Sequence, residues 1–371
     1  MKSAWIVVAL GMASGAWAEV IDKKFEVSPG QLLTVELKTG GDIVIRGDGG
    51  NTVSVKAETS GRDAGRIEVQ IEKTAQGVRV GSRYSGSSRS TSGSADLEIS
   101  VPSKFDAQLS TMGGEISIDG VEGDFSGSTM GGDIDLTNLT GTANLSSMGG
   151  DIEVAGSQLS GEVSTMGGDI DLKDLKGTLK AKTMGGDVVY DNVQVSQADG
   201  KPVEISTMGG DINVANAPAG AKVKTMGGDI TIGSAKVFAD ATTMGGDIKI
   251  EEIDGSVKAS TMGGDIAVVM IGDPAAGDRS VDLDTKGGEI RLAVPAALSM
   301  DIDIQIEYTR DSRCVCKIVS DFAIKTTETP EWSGSRFGEP RKTITGTGKT
   351  GAGKNKIVIR AVNGSVYLTK K

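Results

Sequence analysis

Thr129-Met130-Gly131-Gly132-Asp133-Ile134 decides the reading of this chain, because it returns almost unchanged along most of its length. The central methionine recurs at Met112, Met130, Met148, Met166, Met184, Met208, Met226, Met244 and Met262, and Lys286 takes the same place in Thr285-Lys286-Gly287-Gly288-Glu289-Ile290. The step is 18 residues, except that Met184 to Met208 and Met262 to Lys286 are 24 apart. A longer step equal to one period plus six residues is what a loop inserted into one coil produces without disturbing its neighbours.

Within each period apolar and polar residues alternate. In one of them Val163 and Thr165 precede the glycines, Ile170 and Leu172 follow, and Leu175, Gly177 and Leu179-Lys180-Ala181-Lys182-Thr183 lead into the next. Alternation is the period of a strand, and Gly-Gly in every turn would weaken a helix. The pattern predicts two or three short strands per period, a tight corner at Gly-Gly and a second near Gly177, where glycine can supply positive φ. One such coil cannot bury its apolar side alone, whereas stacked coils bury it and set identical side chains in ladders. The fold class expected is all-β: a β-solenoid, β-helix-like, of about ten 18-residue coils, roughly 45 Å long at a strand spacing of about 4.8 Å, with β-rich N- and C-terminal caps.

The ladders carry different expectations. Ile116, Ile134, Ile152, Ile170, Val188, Ile212, Ile230, Ile248, Ile266 and Ile290 should point inward, and the preceding acidic column outward. Carboxylates stacked at about 4.8 Å repel by about 1 kcal/mol per neighbour in water. They are therefore solvated, or bonded to backbone N–H groups of the corner, or they hold cations. Asp133, Asp151, Asp169, Asp187, Asp211, Asp229, Asp247 and Asp265 are the metal candidates, with calcium the oxygen-seeking ion considered. The Gly-Gly-x-Gly-x-Asp pattern of calcium-binding β-rolls is absent. Parity places Thr inward and Met outward, and Lys286 at a Met position fits exposure. An outward methionine ladder would be an apolar stripe and a candidate interaction surface; the alternative is methionine packed under a neighbouring loop.

Composition narrows the function. The chain has 371 residues, 54 glycines, 8 prolines, 4% aromatics, a net charge of −11 and no histidine. The charge argues against nucleic acid and anionic lipid, and the missing imidazole removes the commonest general base and metal ligand. Lys2, the apolar run Ala4 to Ala13 and Ala16-Trp17-Ala18 read as a secretory signal over residues 1–18, with the mature chain starting at Glu19. The expected location is the periplasm or the cell surface, with no transmembrane segment after cleavage.

Residues 19–103 read as a β-rich domain or cap, 104–295 as the solenoid and 296–371 as a second β-rich cap. Lys38-Thr39-Gly40-Gly41-Asp42-Ile43 looks like a degenerate corner, and Gly81 to Gly93 like a mobile loop. Gly348-Lys349-Thr350-Gly351-Ala352-Gly353-Lys354-Asn355 approaches a phosphate-binding loop. Asn355 replaces the magnesium-holding Ser or Thr and a strand follows, so it reads as a basic loop. Cys314-Val315-Cys316, placed on a strand, has poor geometry for a bridge; a strained local disulfide, intermolecular bonds and free thiols are all open. Carboxylate chemistry on glycans would sit on the irregular coils, Val189 to Ser206 with Asp191 and Asp199, and Ala267 to Asp284 with Asp273, Asp278, Asp282 and Asp284. Turn chemistry explains the same aspartates.

Taken together, the signal segment, the Val101-Pro102 lead-in, the successive Thr-x-Gly-Gly-Asp-Ile coils, the Val294-Pro295 exit and the closing Val362-Asn363-Gly364-Ser365-Val366 strand resemble the bacterial putative-adhesin family with β-strand repeats, a domain of unknown function. The resemblance covers most of residues 19–371 and implies a β-repeat fold and an adhesin-like role. The function expected is an exported, non-catalytic scaffold or adhesin-like binding protein of the cell envelope. Its partner would be an envelope polymer or protein, or a second copy of itself, and it would need no cofactor. A calcium-dependent binding module and a glycan-active β-helix enzyme are the alternatives.

Overall fold

The computed structural model describes residues 20–86, 92–193, 200–312, 314–333 and 339–371. The segment read as a secretory signal, Asp199 and part of the stretch Gly81 to Gly93 lie outside them; residues 81–84 of that stretch, expected as a mobile loop, are the end of the strand Gly77–Tyr84, where alternating side chains pair across the layer. Among the described residues every regular element is a strand, apart from one 3-10 turn at Ala64–Arg66.

Each 18-residue period contributes two strands, one on each side of the Met-Gly-Gly corner. They belong to two facing layers of parallel pairs. In the layer before the corner, Leu109, Gly127, Leu145, Val163, Ala181, Ile205, Val223, Ala241, Ala259 and Leu283 stand in one register column. In the layer after it, Ile116, Ile134, Ile152, Ile170, Val188, Ile212, Ile230, Ile248, Ile266 and Ile290 stack rung on rung. The residues of this second column are at most 1% exposed, as the alternation predicts. Large and small side chains share a column, as in Ala107, Phe125, Ala143, Gly161 and Leu179. The two layers therefore fill with few aromatics, and Tyr190, Phe105 and Phe125 are the largest fully buried side chains.

The stack extends beyond the regular repeats by changing the order of the chain. Leu32–Leu37 pairs in parallel with both Asp106–Thr111 and Gly77–Tyr84, and Ile43–Asp48 with both Ile116–Asp119 and Ser94–Pro102. The first coil in sequence thus lies inside the one that follows it, and the degenerate Gly40-Gly41 corner is a true corner of the solenoid. The other end repeats the device. Asn355–Val362 and Val366–Lys370 lie between the coil of Val281–Val294 and the strands Met300–Thr309 and Ile318–Ser320. One apolar core runs from Leu33 to Leu368.

Outer edges are closed by antiparallel strands. Thr52–Ser60 covers Ser94–Pro102 and is itself paired with Val20–Glu26, and Ile67–Lys73 covers Gly77–Tyr84. At the far end Arg341–Lys349 covers Met300–Thr309, and the wholly exposed Lys325–Glu328 lies outside it. Charged outer strands stop the stack from recruiting further strands.

Both six-residue insertions leave at the corner opposite the glycines. One lies between Val188–Asp191 and Val203–Ser206, the other between Ile266–Met270 and Val281–Thr285. That corner turns at a left-handed residue in successive coils: Gly120, Asn138, Gly156, Asp174 and Asn192, with φ between 48° and 70°. Asn and Asp tolerate this region best after glycine. The turn therefore begins three residues before Gly177, which also has a positive φ of 109°.

Candidate functional site

The corner is built of four columns in turn: Thr, Met, Gly-Gly and Asp. Thr111, Thr129, Ser147, Thr165, Thr183, Thr207, Thr225, Thr243, Thr261 and Thr285 point inward and are no more than 4% exposed. Each hydroxyl clamps two coils. Thr165 Oγ1 donates to the Gly150 carbonyl of the preceding coil at 2.8 Å and accepts the Gly168 N–H of its own at 3.3 Å. Ser147 makes the same pair, to Gly132 at 2.8 Å and from Gly150 at 2.9 Å. A buried donor or acceptor left without its partner costs about 1–3 kcal/mol. Thr165→Val is therefore expected to lower the stability by about that amount, and Thr165→Ser to change it little. Urea melts of the two variants check this, and a Val variant as stable as the parent would remove the clamp from the account.

The second glycine of each pair is needed for closeness. A Cβ on Gly168 would lie 2.2 Å from the Gly150 carbonyl oxygen, and one on Gly228 2.1 Å from that of Gly210. Neither φ lies in the left-handed region, so contact between coils, and not the positive φ expected from the sequence, selects glycine along the regular part of the column.

The methionines point out. Met112, Met130, Met148, Met166, Met184, Met208, Met226, Met244 and Met262 are 41–57% exposed. Met148, Met166 and Met184 line one shallow groove of about 310 Å³ with Ser146, Ser164 and Lys182.

The aspartates point out as well, and they bond to backbone N–H groups of the corner, one of the three outcomes considered. Oδ1 of Asp133 accepts the backbone N–H of Asp151, and the pattern repeats through Asp151, Asp169, Asp187, Asp211, Asp229, Asp247 and Asp265, at 2.7–2.8 Å. Each carboxylate thus fastens the next coil, which offsets the repulsion along the column. Glu115 takes the aspartate position in the first regular coil. Burial, a hydrogen bond with Asp135 and the charges of Asp135, Asp42 and Asp133 raise its pKa. Among the described residues no three Cys, Asp or Glu side chains form a group that could hold a metal ion.

The second insertion and the strand after it hold their aspartates in side-chain contacts. Asp191 is exposed. Asp273 accepts the Ala275 N–H at 2.9 Å, and Asp278 accepts the Ser280 N–H and hydroxyl, which lower its pKa. Asp282 meets Arg360 at 3.3 Å and Asp284 meets Lys286 at 3.0 Å. Sequence reasoning missed Arg279, the only buried cation among the described residues. Its signal was weak, a lone arginine in a Pro-Gly-Asp loop.

Cys314 and Cys316 are joined to each other, with Cα atoms 5.1 Å apart. The expectation of poor geometry rested on a strand, but residues 314–317 are outside any strand. The shorter Cα separation lies within the usual range for a disulfide. The near phosphate-binding stretch is the end of Arg341–Lys349, a turn and the start of Asn355–Val362. Lys354 there donates to the Ala275 carbonyl at 3.0 Å, and the Asn355 side chain accepts the Arg279 N–H at 3.0 Å.

Stacked Gly-Gly corners from Gly40-Gly41 to Gly287-Gly288 mark the extent of the repeat, and a family model described as Toastrack DUF4097 matches the same ground, residues 33–234 and 201–315. The chain belongs to the Toastrack DUF4097 family. The resemblance drawn from its corner motifs is thereby met. Among solved structures, a putative adhesin from Parabacteroides distasonis aligns at 12% identity, covering 72% of this Toastrack chain and 97% of its own, with a TM-score of 0.38. A putative cell adhesion protein from Clostridium sporogenes aligns at 12% identity over 96% of this chain and 100% of its own, with a TM-score of 0.19. A putative lipid binding protein from Parabacteroides distasonis aligns at 11% identity over 71% and 96%, with a TM-score of 0.29. No curated protein matches the chain. Among the described residues no helix is long and apolar enough to cross a membrane.

Proposed function

We propose that this Toastrack protein is an exported, non-catalytic binding scaffold of the cell envelope, adhesin-like in action, whose contact surface is the methionine edge. One observation carries the reading: nine methionines at one position of successive coils, each 41–57% exposed. Apolar side chains in a continuous exposed line mark a contact surface. The reading of residues 1–18 as a secretory signal supports export. The carboxylates of the second insertion are engaged in turns and ion pairs, so the reading assigns them structure and not turnover. The partner class is an envelope polymer or protein.

Co-sedimentation of the purified protein with isolated envelope fractions, with calcium and with chelator, tests this. Saturable binding is expected in both arms, and replacing Met148, Met166 and Met184 with Glu is expected to weaken it at least tenfold, the scale of a lost apolar contact patch. Binding in the calcium arm alone would replace the proposal with a calcium-dependent module built on the aspartate column. Absence of binding in both arms would overturn it.

A further inference from the structure

The methionine column has a property that an apolar surface does not require. Its position is outward, so packing does not select the side chain. Corner geometry does not select it either, because Lys286 occupies the same place on Thr285-Lys286-Gly287-Gly288. Leu, Ile or Val would supply the same apolar area, and the position two residues earlier is polar, at Ser110, Ser128, Ser146 and Ser164. Yet nine consecutive coils carry methionine there. The feature that separates methionine from those residues is its thioether sulfur, a soft, polarisable ligand on a chain with three rotatable bonds.

We propose that the column is a binding strip for soft monovalent metal ions of the Cu(I) and Ag(I) class, each held between thioethers of adjacent coils. The register supports it. Thr129 pairs with Ser147 before the corner and Ile134 with Ile152 after it, so Met130 and Met148 are held side by side, one strand spacing apart. That spacing is about 4.8 Å. Metal–sulfur bonds are about 2.3 Å in zinc thiolates, and two bonds on that scale placed in line span about 4.6 Å, so two-coordinate binding fits between neighbouring rungs. Met148, Met166 and Met184 already share one groove.

Among the described residues the column has no competitors. The chain has no histidine, and its two cysteines are bonded to each other. Of its 13 methionines, nine are in the column, and Met270 and Met300 are wholly buried in the core. A net charge of −11 draws cations to the surface, while the carboxylates, being hard oxygen ligands, do not compete for a soft ion.

Silver nitrate, in non-coordinating buffer free of chloride, is the probe, since Ag(I) undergoes no redox change in this use. The readout is the methionine εCH3 resonances of the purified protein. Titration is expected to shift the resonances of the exposed methionines and leave those of Met270 and Met300 in place. Saturation is expected near about four ions, two thioethers each. Zinc should produce no shift. The variant M148L/M166L/M184L keeps an apolar side chain at each of the three positions and is expected to lose at least one ion. Silver binding is read on the purified protein without envelope, so a failure of the docking reading above and a failure of this proposal are seen separately. Exposed methionine resonances that stay unmoved at stoichiometric silver, or uptake by the leucine variant equal to that of the parent, would overturn it.

Discussion

Gly168→Ala is expected to lower the stability by about 3 kcal/mol or more, while Gly167→Ala, one residue away, is expected to leave it unchanged or raise it by about 0.4–1 kcal/mol. The contrast comes from what a methyl group meets. On Gly168 it would lie 2.2 Å from the Gly150 carbonyl oxygen and 2.5 Å from its carbon. Both atoms are backbone, and that oxygen already accepts the Thr165 hydroxyl. Relief requires two coils to part, which also breaks the Thr165 clamp and stretches the Asp151-to-Asp169 bond. On Gly167 the nearest atom would be the Gly149 carbonyl oxygen at 3.5 Å, an ordinary contact. Alanine there restricts the unfolded chain at no steric cost. Thermal melts of the two variants give the sign of each effect. Hydrogen exchange should show the loss concentrated in Gln158–Ser164 and Ile170–Lys173, because coils contact only their neighbours. Equal stability of the two variants would mean that the second glycine is not selected by closeness.

The same local rule explains how much could be read from the chain. Alternation around a fixed step is a property of single residues and their near neighbours. It gave the isoleucine column, the inward threonines and the outward methionines, with Lys286 as the telling exception. The ends of the stack obey no such rule. Leu32–Leu37 lies between Gly77–Tyr84 and Asp106–Thr111, and nothing in any of the three segments records the order. The corner at Gly40-Gly41 was visible, but its neighbours in space were not.

The aspartate column was legible as a column and not as a device. Charge and spacing allow solvation, backbone bonding or a cation. Whether the backbone bond forms depends on whether the next coil's N–H comes within reach, and the coil offset sets that distance. The disulfide was obscured for a different reason. Treating Cys314-Val315-Cys316 as a strand gave a bridge poor geometry and left three states open, and the local chain is not extended in that way.

Arg279→Met is expected to cost about 2–4 kcal/mol and to make residues 271–280 the first segment cut by protease, whereas Asp254→Asn should cost only about 1 kcal/mol. Arg279 is 3% exposed and organises the second insertion from within. Its guanidinium donates to the Ile271 carbonyl at 2.9 Å, to the Asp273 carbonyl at 2.8 Å and to Asp254 Oδ1 at 2.6 Å. Methionine keeps most of the apolar stem and removes every donor, so two carbonyls inside the loop lose their partners. The Asp254 carboxylate is 40% exposed and can rehydrate, which holds the cost below that of breaking a fully buried ion pair. Asparagine at 254 keeps an acceptor for the guanidinium and leaves the carbonyl bonds intact. The loop's other tie, from the Arg279 N–H to Asn355 at 3.0 Å, belongs to the backbone and survives both substitutions. It joins the insertion to a strand brought in from the far end of the sequence, so the loop should open without releasing the coil beneath it. Limited proteolysis beside urea melts distinguishes the cases. If Asp254→Asn proves as damaging as Arg279→Met, the charge pair, and not the set of carbonyl bonds, holds the insertion down.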